Sequence, residues 1–389
     1  MKSKDAYNYE RDFLCQTYSR PPILFVKGED CRLWDAEGKS YLDLVGGLAV
    51  CSLGHCHHKV IEAIKSQSTS LIHTSNLYYT EPQLELAKKL SELSFGGKTF
   101  FCNSGAEANE AAIKLARLYG KGRHTILTAK GSFHGRTLAT LSATGQEKIQ
   151  KGFSPLVSGF KYIEFNSLKS AEDAIDEDTV AIMLEPVQGE SGIWQAEREY
   201  LLGLRDLCDK YDLLLIFDEV QTGIGRCGYL FAYQFYGIEP DVITLAKGLA
   251  GGLPIGAMIA KKGVADLFTP GSHASTFGGN PVSCSASLAV LSVVANEGFL
   301  QDVRDTGDYL RKRLKEIPSV KDVRGMGLMI GATIDGDAKK VVADCCQKGL
   351  LINAPTPQIL RFVPPLIITK EEIDEAISIL KEVVSIQVA

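Results

Sequence analysis

Runs that are apolar on both faces recur along the chain, each followed by a stretch with helical spacing of its apolar positions. They fall at 98–103, 124–128, 180–185, 213–218 and 242–246, and Leu213-Leu214-Leu215-Ile216-Phe217 is the clearest. A strand with no polar face belongs inside a parallel sheet covered by helices on both sides. Helical spacing at 106–119, 197–211 and 280–296 supplies such covers, so the pattern predicts an α/β fold around a large, mostly parallel sheet. Ahead of it, residues 22–45 alternate short β-like runs with turn signals such as Lys27-Gly28-Glu29-Asp30, which predicts a small meander. Beyond about 300 the character changes to a charged helix, a strand region RGMGLMIGATI, short strands near 350 and 361, and a last helix. That tail predicts a second, smaller α+β domain.

Ligands of an open parallel sheet bind beyond the carboxyl ends of its strands. Here the first apolar run ends in Asn103-Ser104-Gly105-Ala106 and opens a helix. Free amides, a hydroxyl and the positive end of a helix dipole suit a phosphate, although an ordinary serine cap accounts for Ser104 as well. The runs at 180–185 and 213–218 end in carboxylates, Glu185 and Asp218. Two acids placed directly after apolar strands are costly unless each meets a partner. Lys247 closes the run at 242–246 and is followed by Gly-Leu-Ala-Gly-Gly-Leu-Pro, which leaves it little room to reach solvent. Desolvation lowers a lysine's pKa and prepares it as a Schiff-base amine; a structural pair with Asp218 is the rival reading.

Composition narrows the field. The 389 residues are 45% hydrophobic and 23% charged, as a globular chain is, and too many for one small domain. A net charge of −5 gives no electrostatic case for a nucleic-acid or anionic-membrane partner. The segment 242–260 imitates a membrane span, but Gly248, Gly251, Gly252, Pro254 and Gly256 would break such a helix. The first residues lack the apolar core of a secretory signal, and the scattered cysteines suit a reducing compartment, so the cytoplasm is expected. Two motifs are decoys. Gly223-Ile224-Gly225-Arg226-Cys227-Gly228 matches a dinucleotide fingerprint but does not join a strand directly to a helix. Cys51, His55, Cys56, His57 and His58 look metal-like, yet no second ligand pair with structural-zinc spacing follows, and no metal is expected.

A phosphate cradle, a carboxylate, a desolvated lysine and the pair Phe133-His134 together suit pyridoxal phosphate. That cofactor needs a lysine for its aldehyde, an acid facing its ring nitrogen and a helix terminus for its phosphate. The motifs GEDCRLWDAEGKSYLDLVGGLAVCSLGHCHH, FFCNSGAEANEAAIKLAR, GSFHGRT, LEPVQGESG, LLIFDEVQTGIGRCG, ITLAKGLAGGLPIGA, STFGGNP and LRFVPPL resemble the class III (ω-amino) aminotransferases over essentially the whole chain.

The resemblance implies the fold-type-I, aspartate-aminotransferase-like architecture: a large domain at 49–295 and a small one made from both ends, 1–48 and 296–389. It also implies a homodimer with its sites at the subunit interface. Lys247 would carry the cofactor and move protons, and Asp218 would hold the ring nitrogen with Gln221 near the ring hydroxyl. Phe133 would stack on the ring, and Ser104, Gly105 and Ala106 would hold the phosphate with Thr276 of the neighbouring subunit. Arg136 and Ser275 would contact substrate, with Arg136 taking a distal carboxylate. Arg361 would take the α-carboxylate of glutamate or 2-oxoglutarate and pair with Glu190 when an ω-amine is present. The implied reaction moves the δ-amino group of N-acetylornithine to 2-oxoglutarate, giving N-acetylglutamate 5-semialdehyde and glutamate in arginine biosynthesis. Ornithine, succinylornithine, 4-aminobutyrate and lysine-pathway amines are alternatives, and an aminomutase is a more distant one. Segment 46–50, Gly-Gly-Leu-Ala-Val, resembles members acting on acylated substrates more than those acting on ornithine, where a tyrosine meets the free α-amine. His58 stands where the family more often has proline, which touches a helix start rather than chemistry.

Overall fold

The structure, a computed structural model, describes residues 1–388, with side-chain surroundings up to Val384. Its centre is a seven-stranded sheet in the order Lys98–Cys102, Gly256–Ala260, Val242–Leu245, Leu214–Asp218, Thr179–Leu184, Thr125–Ala129, Phe160–Ile163. All five apolar runs are strands, displaced by a residue or two from their expected ends. Four of them are buried along their whole length and Lys98–Cys102 at its carboxyl end; Ile182, Leu215, Ile216 and Ile243 have no exposed surface. Each such side chain contributes about 1.5–3 kcal/mol of burial, which explains why the runs have no polar face.

Two strands of this sheet lie outside the five expected runs. Phe160–Ile163 lies at the sheet edge and is half exposed. Gly256–Ala260 is antiparallel to both its neighbours, the one reversed strand of the seven. The membrane-like stretch is therefore two antiparallel strands joined by the Lys247–Ala250 turn and the following loop, with Leu245 opposite Ala257. Gly256 allows the close approach: a Cβ there would sit 2.2 Å from the Ser104 carbonyl oxygen.

The helices Gly105–Gly120, Arg198–Tyr211 and Pro281–Val294 match the predicted covers. The amino-terminal meander is three strands, Phe25–Glu29, Arg32–Asp35 and Ser40–Asp43. A fourth strand from the far end of the chain, Leu350–Leu351, joins it in parallel, with Leu350 opposite Leu42. A second four-stranded sheet orders Val320–Met326, Met329–Ile334, Ile359–Phe362 and Asn353–Thr356. Cys31, Leu42 and Leu44 share a core with Leu310, Ile330, Leu360 and Leu380, so both ends of the chain pack together. That pairing was beyond the reach of local pattern. The helix Ser3–Phe13 buries none of its residues and was not expected. Among the described residues no single helix is long and apolar enough to cross a membrane, and no group of three metal-ligating side chains occurs.

Register decides where the chemistry falls. Phe217 pairs with Leu184 and Asp218 with Thr244. The carboxyl ends of three adjacent strands thus deliver Glu185, Asp218 and Lys247 to one rim of the sheet.

Candidate active site

A cavity of about 410 Å³ opens at that rim. Ser104, Gly105, Ala106, Phe133, Arg136, Asp218, Gln221 and Lys247 all line it. The strand Lys98–Cys102 ends just before Ser104, whose hydroxyl accepts from the Glu107 N–H at 3.2 Å. Ser104 is therefore a true helix cap and a cavity residue at once; the two readings of the sequence do not compete. Gly105 is constrained by space, since a Cβ there would lie 2.7 Å from Val220 Cγ1.

Asp218 is bonded on both carboxylate oxygens. Its Oδ2 accepts from His134 Nδ1 at 2.7 Å and from Asn109 Nδ2 at 2.8 Å, and its Oδ1 accepts from the Val220 N–H at 3.0 Å. Thr244 donates to Asn109 Oδ1 at 2.6 Å, and Asn109 also donates to the His134 carbonyl. All four side chains are buried. Burial by itself would depress the His134 imidazole, but its hydrogen bond to Asp218 and the charges of Asp218 and Glu185 outweigh that and raise it. Glu185 accepts from the N–H groups of Phe133 (3.0 Å) and Gly189 (3.2 Å). Its burial, with Asp218 nearby, pushes its carboxyl up to about 7 against the pull of His134.

Lys247 adopts a left-handed backbone, φ +42°, at the start of its turn. Such a conformation in a non-glycine residue costs on the order of 1–3 kcal/mol and persists where the surroundings impose it. Desolvation lowers its amine below the ordinary lysine value, with Glu190 the first opposing charge and Arg361 a further lowering one. The neutral amine that a carbonyl requires is thus more accessible here than at a surface lysine.

The substrate side is looser. Arg361, from the strand Ile359–Phe362, is 1% exposed and donates through Nη1 to Glu190 Oε1 (2.7 Å) and the Gly189 carbonyl (2.9 Å). Its Nε donates to Asn353 Oδ1 at 3.1 Å. Burial would raise the Glu190 carboxyl, but the charge and hydrogen bond of Arg361 outweigh it and hold it low. Glu190 also borders a second cavity of about 500 Å³ that shares Phe133 and Arg136 with the first. Arg136 is exposed, lies over the Phe133 ring at 5.5 Å, and pairs with no carboxylate among the described residues.

Ser275 and Thr276 do not reach this cavity. The Ser275 hydroxyl bonds Asn103 Nδ2 and the Gly278 N–H, and Thr276 is exposed in a neighbouring groove with His73 and Asn76. Three supporting residues were missed by sequence reasoning. Asn109 is a lone polar side chain on the alanine-rich buried face of its helix, and Thr244 interrupts the apolar run Val242-Ile243-Leu245. Those interruptions were the available signal. Asn353 carried none.

Two buried polar atoms on the cavity-lining residues, His134 Nε2 and Gln221 Oε1, find no partner among the described residues. With the glycine-bounded cradle at Ser104–Ala106, the acid Asp218 and the desolvated Lys247, the donor set fits pyridoxal phosphate in size and chemistry.

Comparison with known proteins agrees. Residues 15–384 match the family model Aminotransferase class-III. Acetylornithine aminotransferases of Caldanaerobacter subterraneus subsp. tengcongensis and Aquifex aeolicus are 56% and 50% identical, over 97% and 95% of this chain and 98% and 99% of theirs. The solved N-acetylornithine aminotransferase of Stenotrophomonas maltophilia K279a superposes with a TM-score of 0.84 at 35% identity, over 98% of this chain and 99% of that one. The ornithine aminotransferase of Toxoplasma gondii ME49 reaches 0.94 at 31% identity, over 100% and 96%. The chain belongs to the class III aminotransferases, an α/β family whose cofactor is pyridoxal phosphate.

Proposed function

We infer that this aminotransferase moves the δ-amino group of N-acetylornithine to 2-oxoglutarate. The observation that carries the reading is the unequal pair of arginines. Arg361 is paired with Glu190, whereas Arg136 is exposed and pairs with no carboxylate among the described residues. A donor that has no carboxylate at its reacting carbon leaves the Arg361–Glu190 pair closed and presents its distal carboxylate to Arg136. An acceptor with two carboxylates displaces Glu190 and takes Arg361 in a charge-assisted, two-bond contact. The wall at 46–50 supports an acylated donor. Gly46, Gly47, Leu48, Ala49 and Val50 offer no side-chain acceptor for a free ammonium, and Val50 lines the cavity.

Pyridoxal phosphate, when bound, supplies an aldehyde that condenses with amines and a ring that stores the electron pair released at the reacting carbon. The chain's residues supply the rest. Lys247 would carry the cofactor between turnovers and move the proton on and off the reacting carbon. Asp218, fixed in place by His134, Asn109 and the Val220 N–H, would face the ring nitrogen and hold its proton. Ser104, Gly105 and Ala106 would bind the phosphate, Gln221 would meet the ring hydroxyl and Phe133 would cover one ring face. Thr276 and Ser275 lie outside their own chain's cavity on an exposed segment near Leu77, Tyr78 and Phe277. That supports a homodimer in which Thr276 completes the partner's phosphate site. The same reading divides the chain into 49–295 and the joined ends 1–48 and 296–389, and puts the enzyme in the cytoplasm.

Borohydride reduction of the loaded enzyme followed by peptide mapping should place the cofactor on Lys247; label elsewhere sinks the mechanism. A donor panel of N-acetylornithine, ornithine, succinylornithine and 4-aminobutyrate, read as conversion to the pyridoxamine form without acceptor, tests the substrate. N-acetylornithine should give the highest kcat/KM, and a faster ornithine half-reaction would transfer the assignment to that amine.

A further inference from the structure

The two largest wholly buried side chains are both arginines, Arg361 and Arg226. Arg361 has a carboxylate partner in Glu190; Arg226 has none among the described residues. Its Nη1 donates to the carbonyls of Leu328 (3.0 Å) and Pro364 (2.6 Å), while Nε and Nη2 find no acceptor among the described residues. Burial pulls the guanidinium down to about 10, which leaves it charged at neutral pH. A buried cation met only by carbonyls is costly, and an apolar side chain of similar size is often at least as stable in such a place. Stability alone does not account for this arginine.

Its place in the fold does. Arg226 lies in the loop that begins at Asp218, yet it lines neither the catalytic cavity nor the one beside Glu190. Both its acceptors belong to the sheet that carries Arg361. Leu328 is in the turn between Val320–Met326 and Met329–Ile334, and Pro364 follows Ile359–Phe362. The strands Met329–Ile334 and Ile359–Phe362 pair directly, with Gly331 opposite Arg361 and Ile330 opposite Phe362. One nitrogen of Arg226 therefore grips two neighbouring strands at their shared end.

The main chain tightens the same joint. The Leu328 N–H donates to the Arg226 carbonyl at 3.0 Å. Gly327 makes room for it: its φ is +54°, and a Cβ there would lie 2.5 Å from the Cys227 carbonyl carbon and 2.7 Å from the Arg226 oxygen. Val363 and Leu366 donate to the carbonyls of Leu44 and Ser52, which ties the loop after Arg361 to the segment 44–52. Arg226 instead ties it to the loop that starts at the cofactor-facing acid.

We propose that Arg226 is a positioning residue that holds the strand of Arg361 in place against the catalytic cavity, so that the acceptor meets a guanidinium already set. The inference rests on the reading of Arg361 as the acceptor's clamp. An acceptor that displaces Glu190 removes the ion pair between this strand and the cavity rim. The bonds of Arg226 lie away from the cavity and stay closed through that exchange. Misplacement of a binding group by about 1 Å can cost about 10²-fold in rate, so a joint this close to Arg361 controls acceptor use.

The test follows the two half-reactions of the cofactor-loaded enzyme separately by absorbance, with the fastest amine of the donor panel and with 2-oxoglutarate. R226M should slow the 2-oxoglutarate half-reaction about tenfold at limiting concentration and change the amine half-reaction less than about twofold. Its urea midpoint should be no lower than the parent's. R226K keeps a donor and should recover most of the acceptor rate. G327A, which presses on the same joint from the other side, should repeat the R226M profile and keeps the comparison open if R226M does not fold. R361Q is measured alongside, and R226M should follow its profile in weaker form. An acceptor half-reaction at the parent rate in R226M and G327A overturns the proposal, as does equal slowing of both half-reactions where R361Q slows one. If R361Q itself slows both, the reading of Arg361 fails, and Arg226 stands or falls on whether R226M follows R361Q in both.

Discussion

Asp218 and Arg361 are both buried and both charged, and each sits at or near the end of a strand, yet they are held in opposite ways. Asp218 is surrounded by donors from the central sheet and its helices: His134, Asn109 and the Val220 amide. None of these can leave without unpacking the core. Arg361 is held by two neutral acceptors, Asn353 and the Gly189 carbonyl, and by one carboxylate, Glu190, whose side chain is 30% exposed. The first arrangement is permanent and suits a cofactor that must be gripped identically in every turnover. The second is exchangeable and suits two substrates of different charge in one space. Preorganised charge is worth most where it never has to move, and a partner that can swing away serves where specificity must alternate.

Substitutions at the two groups should therefore fail differently. The largest effect is expected from Asp218→Asn, which replaces the carboxylate proposed to face the ring nitrogen and leaves His134 facing an amide; kcat should fall about 10³-fold with every donor and acceptor. A loss confined to one substrate would erase the distinction between the two sides. Arg361→Gln should lower kcat/KM for 2-oxoglutarate about 10²-fold while the amine half-reaction, followed spectroscopically, changes little. Equal damage to both half-reactions would mean that Arg361 is part of the permanent frame. Glu190→Gln should be milder and of opposite sense, with about tenfold slower amine turnover and an acceptor half-reaction at least as fast as the parent's.

The smallest effect lies beside the comparison. Glu219 follows Asp218 directly but serves structure: its carboxylate accepts from the N–H groups of Ala232 and Tyr233, both at 2.8 Å, and from the Thr222 hydroxyl. Burial raises it to about 7 from its ordinary 4.5. The folded chain then binds more protons than the unfolded one between those values, so stability falls as pH rises from about 4.5 to about 7 and is level above. The contribution is on the order of 3 kcal/mol. Glu219→Gln should flatten that slope in urea unfolding at pH 5 and pH 8 and leave kcat nearly unchanged; an undiminished slope would assign it to Glu185 or to another acid.

The cavity-lining set was legible because cofactor chemistry demands particular residues at strand ends, and apolar strands advertise where they end. Ser104, Asp218 and Lys247 were found that way, and the structure brings all three to one cavity. Asn109 and Thr244 were not, since a single polar residue in an apolar run reads as noise until its partner is known. The strand Gly256–Ala260 escaped because Gly-Ala-Met-Ile-Ala has no β-branched or aromatic enrichment beyond one isoleucine. Its place comes from the neighbours that close around it.

By itself the sequence determined the alternation of strand and helix, the chemistry at the strand ends and the family. These are local matters, set by side-chain period and by which residue follows which. Only the tertiary structure decided that Leu350 pairs with Leu42, that Arg361 meets Glu190 across 171 residues, and that Arg226 donates to the carbonyls of Leu328 and Pro364. Such contacts join segments far apart in the chain. Each depends on how whole sheets pack, a property of summed burial that no short pattern records.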